Sequence, residues 1–277
     1  MARRPTFGDE PKSRLAVWSA RFAFFALVVA ALSVIIVRSG LLEIEPALAT
    51  FAAALIFAVL AILLSFLAFI VIWRQGLSGI GSAVLALFLS LLLLAYPAYL
   101  GYRATKLPAI SDITTDASNP PRFDVLAQAR PPGRSDYRAA DARLQSAAYP
   151  DIGPLQVSAP VKLAYDVTLS LVTKRKWHIA DARPPAGRRE GVIEATARTP
   201  IMGFRDDVAI RITPTSEGAR IDARSASRVG LYDFGANASR IRSLLEDIDD
   251  AVSSAPEPRA EPEKKKQPAP RRPAPKR

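Results

Sequence analysis

The stretch DDVAIRITPTSEGARIDARSAS, residues 206–227, decides the fold of the C-terminal half of the chain. Apolar side chains occupy every second position on both sides of its turn TSEG, at Val208, Ile210, Ile212, Ala219, Ile221 and Ala223. Alternate residues of a strand point to the same face of a sheet. Arg220, Asp222 and Arg224 then point to the opposite face, and this pattern is typical of an antiparallel sheet covered on one side. The stretch therefore predicts a β-hairpin.

Two further strands and two helices complete the predicted domain. WHIADAR, residues 177–183, and GVIEATART, residues 191–199, precede the hairpin as strands. Apolar residues with helical spacing flank the strands, at Ala164, Val167, Thr168, Leu171 and Val172 and again at Ile241, Leu244, Leu245, Ile248 and Val252. A helix, four strands and a closing helix predict a two-layer α+β domain with an antiparallel sheet, which we place at residues 108–253.

The segment that leads into this domain is rich in proline. LPAISDITTDASNPPRFD, residues 107–124, is predicted to be an extended connector. SDYRAADARLQSAAYP, residues 135–150, is predicted to contain a short helix. That helix ends before Pro150, because the residue before a proline leaves the helical region.

The N-terminal hundred residues hold three long apolar runs. No charged residue occurs in the 16 positions 22–37, the 28 positions 46–73 or the 27 positions 76–102. A helix needs about 20 mostly apolar residues to cross a bilayer, and the first run reaches this length by extending back past Arg21, whose side chain can snorkel. The sequence predicts three transmembrane helices within residues 15–103, with Pro97 tolerated inside the third.

Basic residues near the ends of the spans predict the orientation. Residues 1–14 carry four basic residues, the loop 38–45 carries one arginine and two glutamates, and Arg74 lies in the second loop. Loops rich in lysine and arginine stay in the cytoplasm. We therefore expect a cytoplasmic N-terminus, residues 1–14, and a periplasmic domain; Arg103 and Lys106 act mildly against this orientation.

The formal net charge of +11 is distributed unevenly. Residues 104–254 carry +2, from 21 basic and 19 acidic residues, whereas the tail 255–277 carries +5 together with seven prolines. A nucleic-acid-binding domain carries its basic surface on the folded domain itself, so no nucleic-acid partner is predicted. The tail is predicted to be disordered or extended, and it either attaches to an anionic surface or only keeps the chain soluble.

Three blocks of the domain resemble a known family. They are YPDIGPL, residues 149–155, GFRDDVAIRI, residues 203–212, and RSASRVGLYDFGANASRIR, residues 224–242. Together they are similar to the domain of unknown function 1499 (DUF1499), and the last block is the most specific. The resemblance implies a proteobacterial protein in which this domain accompanies membrane spans, and it implies no activity. Many members carry a cysteine near the start of the domain, but this chain has no cysteine, so no thiol function applies.

The run RSASRVGLYDFGAN, residues 224–237, joins the last strand to the last helix and is the main candidate site. One hypothesis is a site for an anion or a partner, because the N-terminus of a helix presents unpaired N–H groups. Asn237 lies at this helix start, and Gly235 lets backbone approach a ligand closely. Arg224 and Arg228 are then expected to hold a phosphate or carboxylate group.

The other hypothesis for the same run is a structural corner. Asp233 then caps the helix, Gly230 supplies a turn, and Phe234 fills the core. The arginines of the run are in this case expected to pair with Asp206, Asp207 or Asp222.

The polar face of the sheet is a second possible contact surface, although mixed charge of this kind is usually only solvated. Its residues are Glu194, Thr196, Arg198, Arg211, Arg220, Asp222 and Arg224.

No catalytic residue, metal ligand or cofactor is predicted. Ser225 and Ser227 need an adjacent base to act as nucleophiles, and the single histidine, His178, lies on a strand that is not adjacent if the strands pair in order. His178 is expected to be a half-buried strand residue. Asp206 and Asp207 are consecutive on a strand and leave opposite faces of the sheet, so they cannot hold one ion together.

These patterns predict a multi-pass protein of the bacterial inner membrane. Its partners are the lipid bilayer and, through the periplasmic domain, an envelope protein or an anionic envelope component. Two alternatives stay open: an anchored, hydrolase-like envelope enzyme that uses the corner at 224–237, and a structural subunit of a membrane complex whose function lies in the spans.

Overall fold

Three long helices open the structure, a computed structural model that describes residues 11–40, 43–130 and 132–255. They are α1 (Arg14–Ser39), α2 (Ile44–Gln75) and α3 (Ile80–Ala104). All three are long and apolar enough to cross a membrane, with mean hydropathies of 2.5, 3.2 and 2.2. The predicted spans are thus confirmed as candidate membrane helices, including a helical Pro97. Most of the predicted cytoplasmic N-terminus and of the tail lies outside the described residues.

Small side chains occupy the faces that the three helices turn toward one another. The buried positions are Ala16, Ser19, Ala23, Ala26, Ala30, Ser33 and Val37 of α1, Ala47, Ala54, Ala58, Ala61, Ser65 and Ala68 of α2, and Ala83, Ala86 and Ser90 of α3. Small residues let helix backbones approach closely in a bilayer, where apolar side chains gain nothing by leaving lipid. Large side chains such as Phe24, Leu63 and Phe88 face outward. An exterior more apolar than the interior fits a lipid environment.

The two ends of this bundle differ in what they contact. At one end the segment before α1 meets the loop between α2 and α3, where the N–H of Ser13 donates to the carbonyl of Ser78 over 2.9 Å. The C-terminal ends of α1 and α3 lie at the other end. The rest of the chain continues from there, because α3 leads directly into the domain.

The domain contains one six-stranded antiparallel sheet. Its strands are β1 (Asp112–Thr114), β2 (Leu155–Val157), β3 (His178–Arg183), β4 (Gly191–Arg198), β5 (Arg205–Thr215) and β6 (Gly218–Ser227). The spatial order is β1-β6-β5-β4-β3, and β2 also pairs with β6. The four predicted strands and the hairpin are confirmed, and in the hairpin Ile210 lies opposite Ala223. The short β1 and β2 were not predicted, because three residues in a proline-rich segment show no alternation.

Two helices cover the apolar face of the sheet. They are α5 (Val161–Lys174) and α6 (Ala236–Ser253), and a short α4 (Asp141–Ala148) lies beside β1. Leu244 and Ile248 of α6 and Val172 of α5 pack against Ile210 and Ile212 of β5 in the main core. The predicted α+β fold, with an antiparallel sheet and a C-terminal helix, is confirmed.

The opposite face of the sheet is covered as well, by residues 115–130 and 132–140. These residues overlap the predicted extended segment 107–124, and from here on we call them the connector. Phe123 and Leu126 of the connector pack on Ala209 and Ala226 of the sheet. Glu194 in the middle of β4 is completely buried beneath it. The expectation of a sheet covered on one side is therefore wrong. A proline-rich segment can cover a polar face when the charged side chains beneath it have hydrogen-bond or ion-pair partners. The buried charged side chains of this face have such partners.

Candidate functional site

The corner between β6 and α6, residues 228–235, is stabilised by the carboxylate of Asp233, which lies within it. Asp233 accepts hydrogen bonds from the backbone N–H groups of Gly235 over 2.8 Å and of Asn237 over 2.9 Å. The first turn of α6 is thereby capped, as a helix N-terminus requires. Burial raises the pKa of Asp233, and the hydrogen bonds from Gly235 and Asn237 only partly offset this rise.

Asn237 connects the corner to two neighbouring elements. Its amide nitrogen donates to the carbonyl of Ser111 and to the hydroxyl of Ser227, each over 3.0 Å. Its amide oxygen accepts hydrogen bonds from the hydroxyl of Ser225 over 2.7 Å and from Arg240. Both serines that the hydrolase hypothesis needs are thus buried against an amide, which is not a base.

Arg224 lies beneath the connector and is 1% exposed. Its guanidinium makes two hydrogen bonds with Asp112 of β1, over 3.0 and 2.7 Å, and stacks on Phe123 with 4.6 Å to the ring centroid. The expectation that it pairs with Asp206, Asp207 or Asp222 is wrong for Arg224. The reason is that its partner belongs to β1, a strand that the pattern did not predict.

Arg228 pairs with Asp207, as the corner hypothesis expected, with Nη2 of the arginine 2.8 Å from the carboxylate. The same carboxylate binds Arg130 of the connector over 2.8 Å. Asp206 faces the other side of the sheet and binds Arg240 of α6 over 2.6 Å. The two aspartates therefore leave opposite faces, as predicted, and each is neutralised separately.

Three of the four predicted site residues thus have partners inside the protein. Arg224 and Arg228 hold carboxylates, and Asn237 holds two serines. Phe234 does not fill the core; it is half-buried and stacks on Tyr232 with 6.0 Å between ring centroids. Direct binding of an external anion by Arg224, Arg228 or Asn237 stays a prediction.

Gly235, the fourth predicted residue, lies where the domain meets the membrane bundle. Its φ angle is +78°, a conformation that favours glycine. A Cβ atom at this position would lie 2.8 Å from Nη2 of Arg103 in the last turn of α3, and 3.4 Å from the hydroxyl of Tyr149. The guanidinium of Arg103 and this hydroxyl therefore converge on the backbone of Gly235.

Both groups that meet Gly235 have unused hydrogen-bonding capacity. The hydroxyl of Tyr149 is buried and has no hydrogen-bond partner among the described residues. Burial raises its pKa, the charge of Asp233 raises it further, and Arg103 and Arg242 only partly oppose this, so the hydroxyl stays a protonated donor at neutral pH. Arg103 stacks on Tyr99 but has no carboxylate partner in the described part of the chain. We call Arg103, Tyr149 and Gly235 the junction site.

Sequence reasoning missed two members of the junction site. Tyr149 entered only through the resemblance of its block to a family, and Arg103 only as a charge near the end of a span. Arg103 and Gly235 are 132 positions apart in the chain. Their contact depends on tertiary structure and on no local pattern.

A second contact joins the domain to α1. Arg38, in the last turn of α1, donates to the carbonyls of Pro200 over 2.7 Å and Ile201 over 2.9 Å in the loop between β4 and β5. Arg198 of β4 donates back to the carbonyl of Arg38 over 3.1 Å. Together with the junction site, this contact holds the domain against the ends of two membrane helices.

The polar face of the sheet, named above as a possible contact surface, is largely covered. Glu194 accepts hydrogen bonds from the backbone N–H groups of Asp124, Val125 and Leu126 in the connector. Asp222 is 1% exposed and binds Arg211 and Arg220. What stays open is a cleft of about 310 Å³ at the edge of the connector, lined by residues that include Arg122, Asp124, Glu190 and Arg211.

His178 at the start of β3 is exposed, not half-buried as expected. It pairs with Thr196 of β4, and β3 lies at the far edge of the sheet from β1. Two strands therefore separate His178 from Ser225 and Ser227 on β6. The geometry brings no histidine to the corner.

Comparison with protein-family models gives a match to the domain. No curated protein and no solved structure is detectably similar to the chain. A family model described as "Protein of unknown function (DUF1499)" matches residues 112–248, from the first residue of β1 into α6. Residues 112–248 of the chain therefore form a domain of the DUF1499 family.

Proposed function

We propose that this protein is a binding protein of the bacterial inner membrane, which holds its DUF1499 domain on the periplasmic side and binds an anionic group of an envelope component at the junction site. The observation that carries the proposal is Arg103, a guanidinium without a carboxylate partner in the described structure, beside the unpartnered hydroxyl of Tyr149. No reaction is proposed.

The chemistry of the junction site suits a phosphate or a carboxylate. Arg103 supplies a charged donor and Tyr149 a neutral one, and hydrogen bonds from a charged donor to an anion are the stronger kind. Gly235 has no side chain to block approach to either group. Asp233 already caps α6 and repels an anion, so the proposed ligand sits on the Arg103 side and leaves the helix cap intact.

The other predicted residues support the site from behind in this proposal. Arg224 and Arg228 anchor the end of β6 to β1 and β5 through Asp112 and Asp207. Asn237 joins α6 to the segment that leaves α3, through the carbonyl of Ser111. These bonds fix the distance between Gly235 and α3, and so the spacing of the two donors.

The proposed orientation follows from basic residues at the two ends of the bundle. Lys12, Arg14 and Arg74 lie at the end opposite the domain and follow Arg3 and Arg4 in the sequence, and positive charge is favoured on the cytoplasmic side. Arg38, Arg103 and Lys106 at the domain end are fewer and act against this orientation. The test is Ser254→Cys in intact cells with a permeable outer membrane, treated with a membrane-impermeant maleimide. The chain has no other thiol. Labelling before lysis is expected, and labelling only after lysis would refute the periplasmic location.

The proposed ligand class is tested with the full-length chain in nanodiscs that contain phosphatidylglycerol. Retained anionic lipid per chain is measured by native mass spectrometry, with inorganic phosphate as a competitor. Arg103→Gln removes a charged hydrogen bond worth about 1.5–3 kcal/mol, so binding should weaken about tenfold or more. Arg188→Gln is the matched control, because Arg188 is an exposed arginine in the turn between β3 and β4, at the end of β4 away from the membrane helices. Equal retention by both variants would contradict an anion site at Arg103.

A further inference from the structure

Two loops of the domain lie against the ends of the membrane helices. The loop at residues 199–204, between β4 and β5, accepts the hydrogen bonds of Arg38 at the end of α1. The corner at residues 228–235 ends at Gly235, which contacts Arg103 at the end of α3. We call these segments the membrane-facing loops.

Exposed apolar side chains are concentrated in the membrane-facing loops. Outside the three long helices, the described residues include six large apolar side chains that are exposed: Val125, Leu144, Ile201, Val229, Leu231 and Tyr232. Four of the six belong to the two loops, and Leu231 is the most exposed of the set at 58%. A cluster of this kind normally marks a contact surface.

The position of the loops along the bundle indicates what they contact. Ile35 of α1 is 59% exposed among the lipid-facing residues and precedes Arg38 by three positions, about 4.5 Å of helix rise. Tyr99 and Tyr102 are exposed in the last turns of α3, and tyrosine is enriched at the interface between membrane and water. The loops bonded to these helix ends therefore lie at the level of the lipid headgroups.

The backbone of the corner holds its aromatic residues in place. Phe234 has a φ angle of +52°, which is unusual for a residue with a side chain. In this conformation its ring stacks on that of Tyr232, at an interplanar angle of 25°. A stacked pair with one hydroxyl combines an apolar body and a polar tip, the combination favoured in the interfacial region.

We propose that the membrane-facing loops insert Ile201, Val229, Leu231 and Tyr232 into the headgroup region of the bilayer that contains the three spans. The domain is then in direct contact with the lipid surface. This inference depends on the membrane helices and on neither the ligand nor the side of the membrane in the proposed function. The partner is lipid, and a second copy of the chain or another protein is an alternative outcome of the test.

The absence of cysteine makes the test direct. Single cysteines replace Leu231, Ile201 and Val229, and each is labelled with an environment-sensitive fluorophore in the full-length chain in nanodiscs. Ser216→Cys is the position control, because Ser216 lies in the exposed turn of the β5–β6 hairpin, about 30 Å along β6 from the corner. Val125→Cys is the chemical control, an apolar residue 48% exposed on the connector.

Quenching by two reagents separates the outcomes. Lipids with a nitroxide near the headgroup should quench the labels at 231, 201 and 229 several-fold more than those at 216 and 125, and aqueous iodide should show the reverse order. Quenching by iodide at all three loop positions as strong as at 216 would overturn the proposal. Protection from both quenchers would also overturn it and would indicate contact between protein copies.

Discussion

The two faces of the sheet are covered in different ways. On one face α5 and α6 bury aliphatic side chains such as Ile210, Leu244 and Ile248, and shape and apolar area hold the layers together. On the other face the connector is held by buried carboxylates, with Asp207 between two arginines and Glu194 beneath three backbone N–H groups. The comparison teaches that alternating polar residues on a strand identify a face but do not show that this face is exposed.

The largest expected effect lies on the connector-covered face. Asp207→Ala leaves the buried Arg130 and the half-buried Arg228 without their shared carboxylate. Removing one partner of a buried ion pair lowers the free energy of unfolding by about 3–5 kcal/mol. Urea unfolding of the full-length chain in detergent, followed by near-ultraviolet circular dichroism, measures the loss.

The control for this variant is Asp166→Ala, which breaks the exposed pair with Lys162 on α5. A pair of this type contributes about 0.2–0.5 kcal/mol to a helix. If both variants lose the same small amount, the connector does not depend on buried charge.

The next effect lies on the helix-covered face. Leu244→Ala removes a completely buried side chain from α6 and leaves a cavity in the main core. Such a substitution lowers the free energy of unfolding by about 2–5 kcal/mol, through lost transfer energy and the cavity. The same urea titration measures it. Leu144→Ala, at a residue 49% exposed on α4, should change little, and an equal loss there would show that the apolar layer is not the source.

A smaller effect is expected in the membrane bundle. The three helices are held together by close packing of small side chains, and not by the apolar core or the buried ion pairs that hold the layers of the domain. Ala23→Leu forces a large side chain between α1 and its neighbours, and overpacking of this kind lowers stability by about 1–3 kcal/mol. Thermal unfolding of the full-length chain in detergent, followed at the helical circular dichroism band, reports it. Ala31→Leu, at an exposed position of α1, should leave the midpoint unchanged, and a matching drop would refute a tightly packed interface.

The smallest effect concerns pH and separates two aspartates. Burial raises the pKa of Asp233, so its contribution to stability is fully present below the ordinary carboxyl value of 3.8 and is lost as pH rises through the folded pKa. The hydrogen bond from Arg242 lowers the pKa of Asp151 to about 2, so its contribution is present above 3.8 and is lost as pH falls toward 2.

Melting temperatures from pH 2 to pH 7 test these opposite signs. Relative to the unchanged chain, Asp233→Asn should gain stability as pH rises from 3.8 through the folded pKa of Asp233 and should change little above it. Asp151→Asn should be less stable at neutral pH and should approach the unchanged chain near pH 2. Asp151 is exposed, so its effect is small. Parallel curves for the two variants would contradict the assigned shifts.

The sequence predicted those parts of the fold that repeat a local period. Three apolar runs, two amphipathic helices and four alternating strands all recur in the structure. It missed β1 and β2, whose pairing with β6 is a long-range contact, and it missed the burial of the polar face. The sequence does not show whether Glu194 is buried or exposed to solvent. Its burial depends on the connector, which folds over it.

The candidate site was predicted in part for the same reason. The corner, its cap at Asp233 and the pair of Arg228 with Asp207 follow from residues close in the chain or on adjacent strands. The partner of Arg224 lies on β1, and the contact between Gly235 and Arg103 joins the domain to a membrane helix. Neither contact can be predicted from the spacing of residues in the sequence or from its composition.

The pairing of β6 sets an order of events during synthesis. Asp112 of β1 lies opposite Ala226, and Leu155 of β2 lies opposite Ile221. Neither β1 nor β2 can therefore pair until β6, the last strand of the sheet, has been synthesised. Contacts between residues far apart in the chain form slowly, and unpaired strand edges are prone to aggregation. A ribosome stalled before residue 218 would leave the three membrane helices attached to a domain that lacks the partner strand of β1, β2 and β5, with those strand edges unpaired.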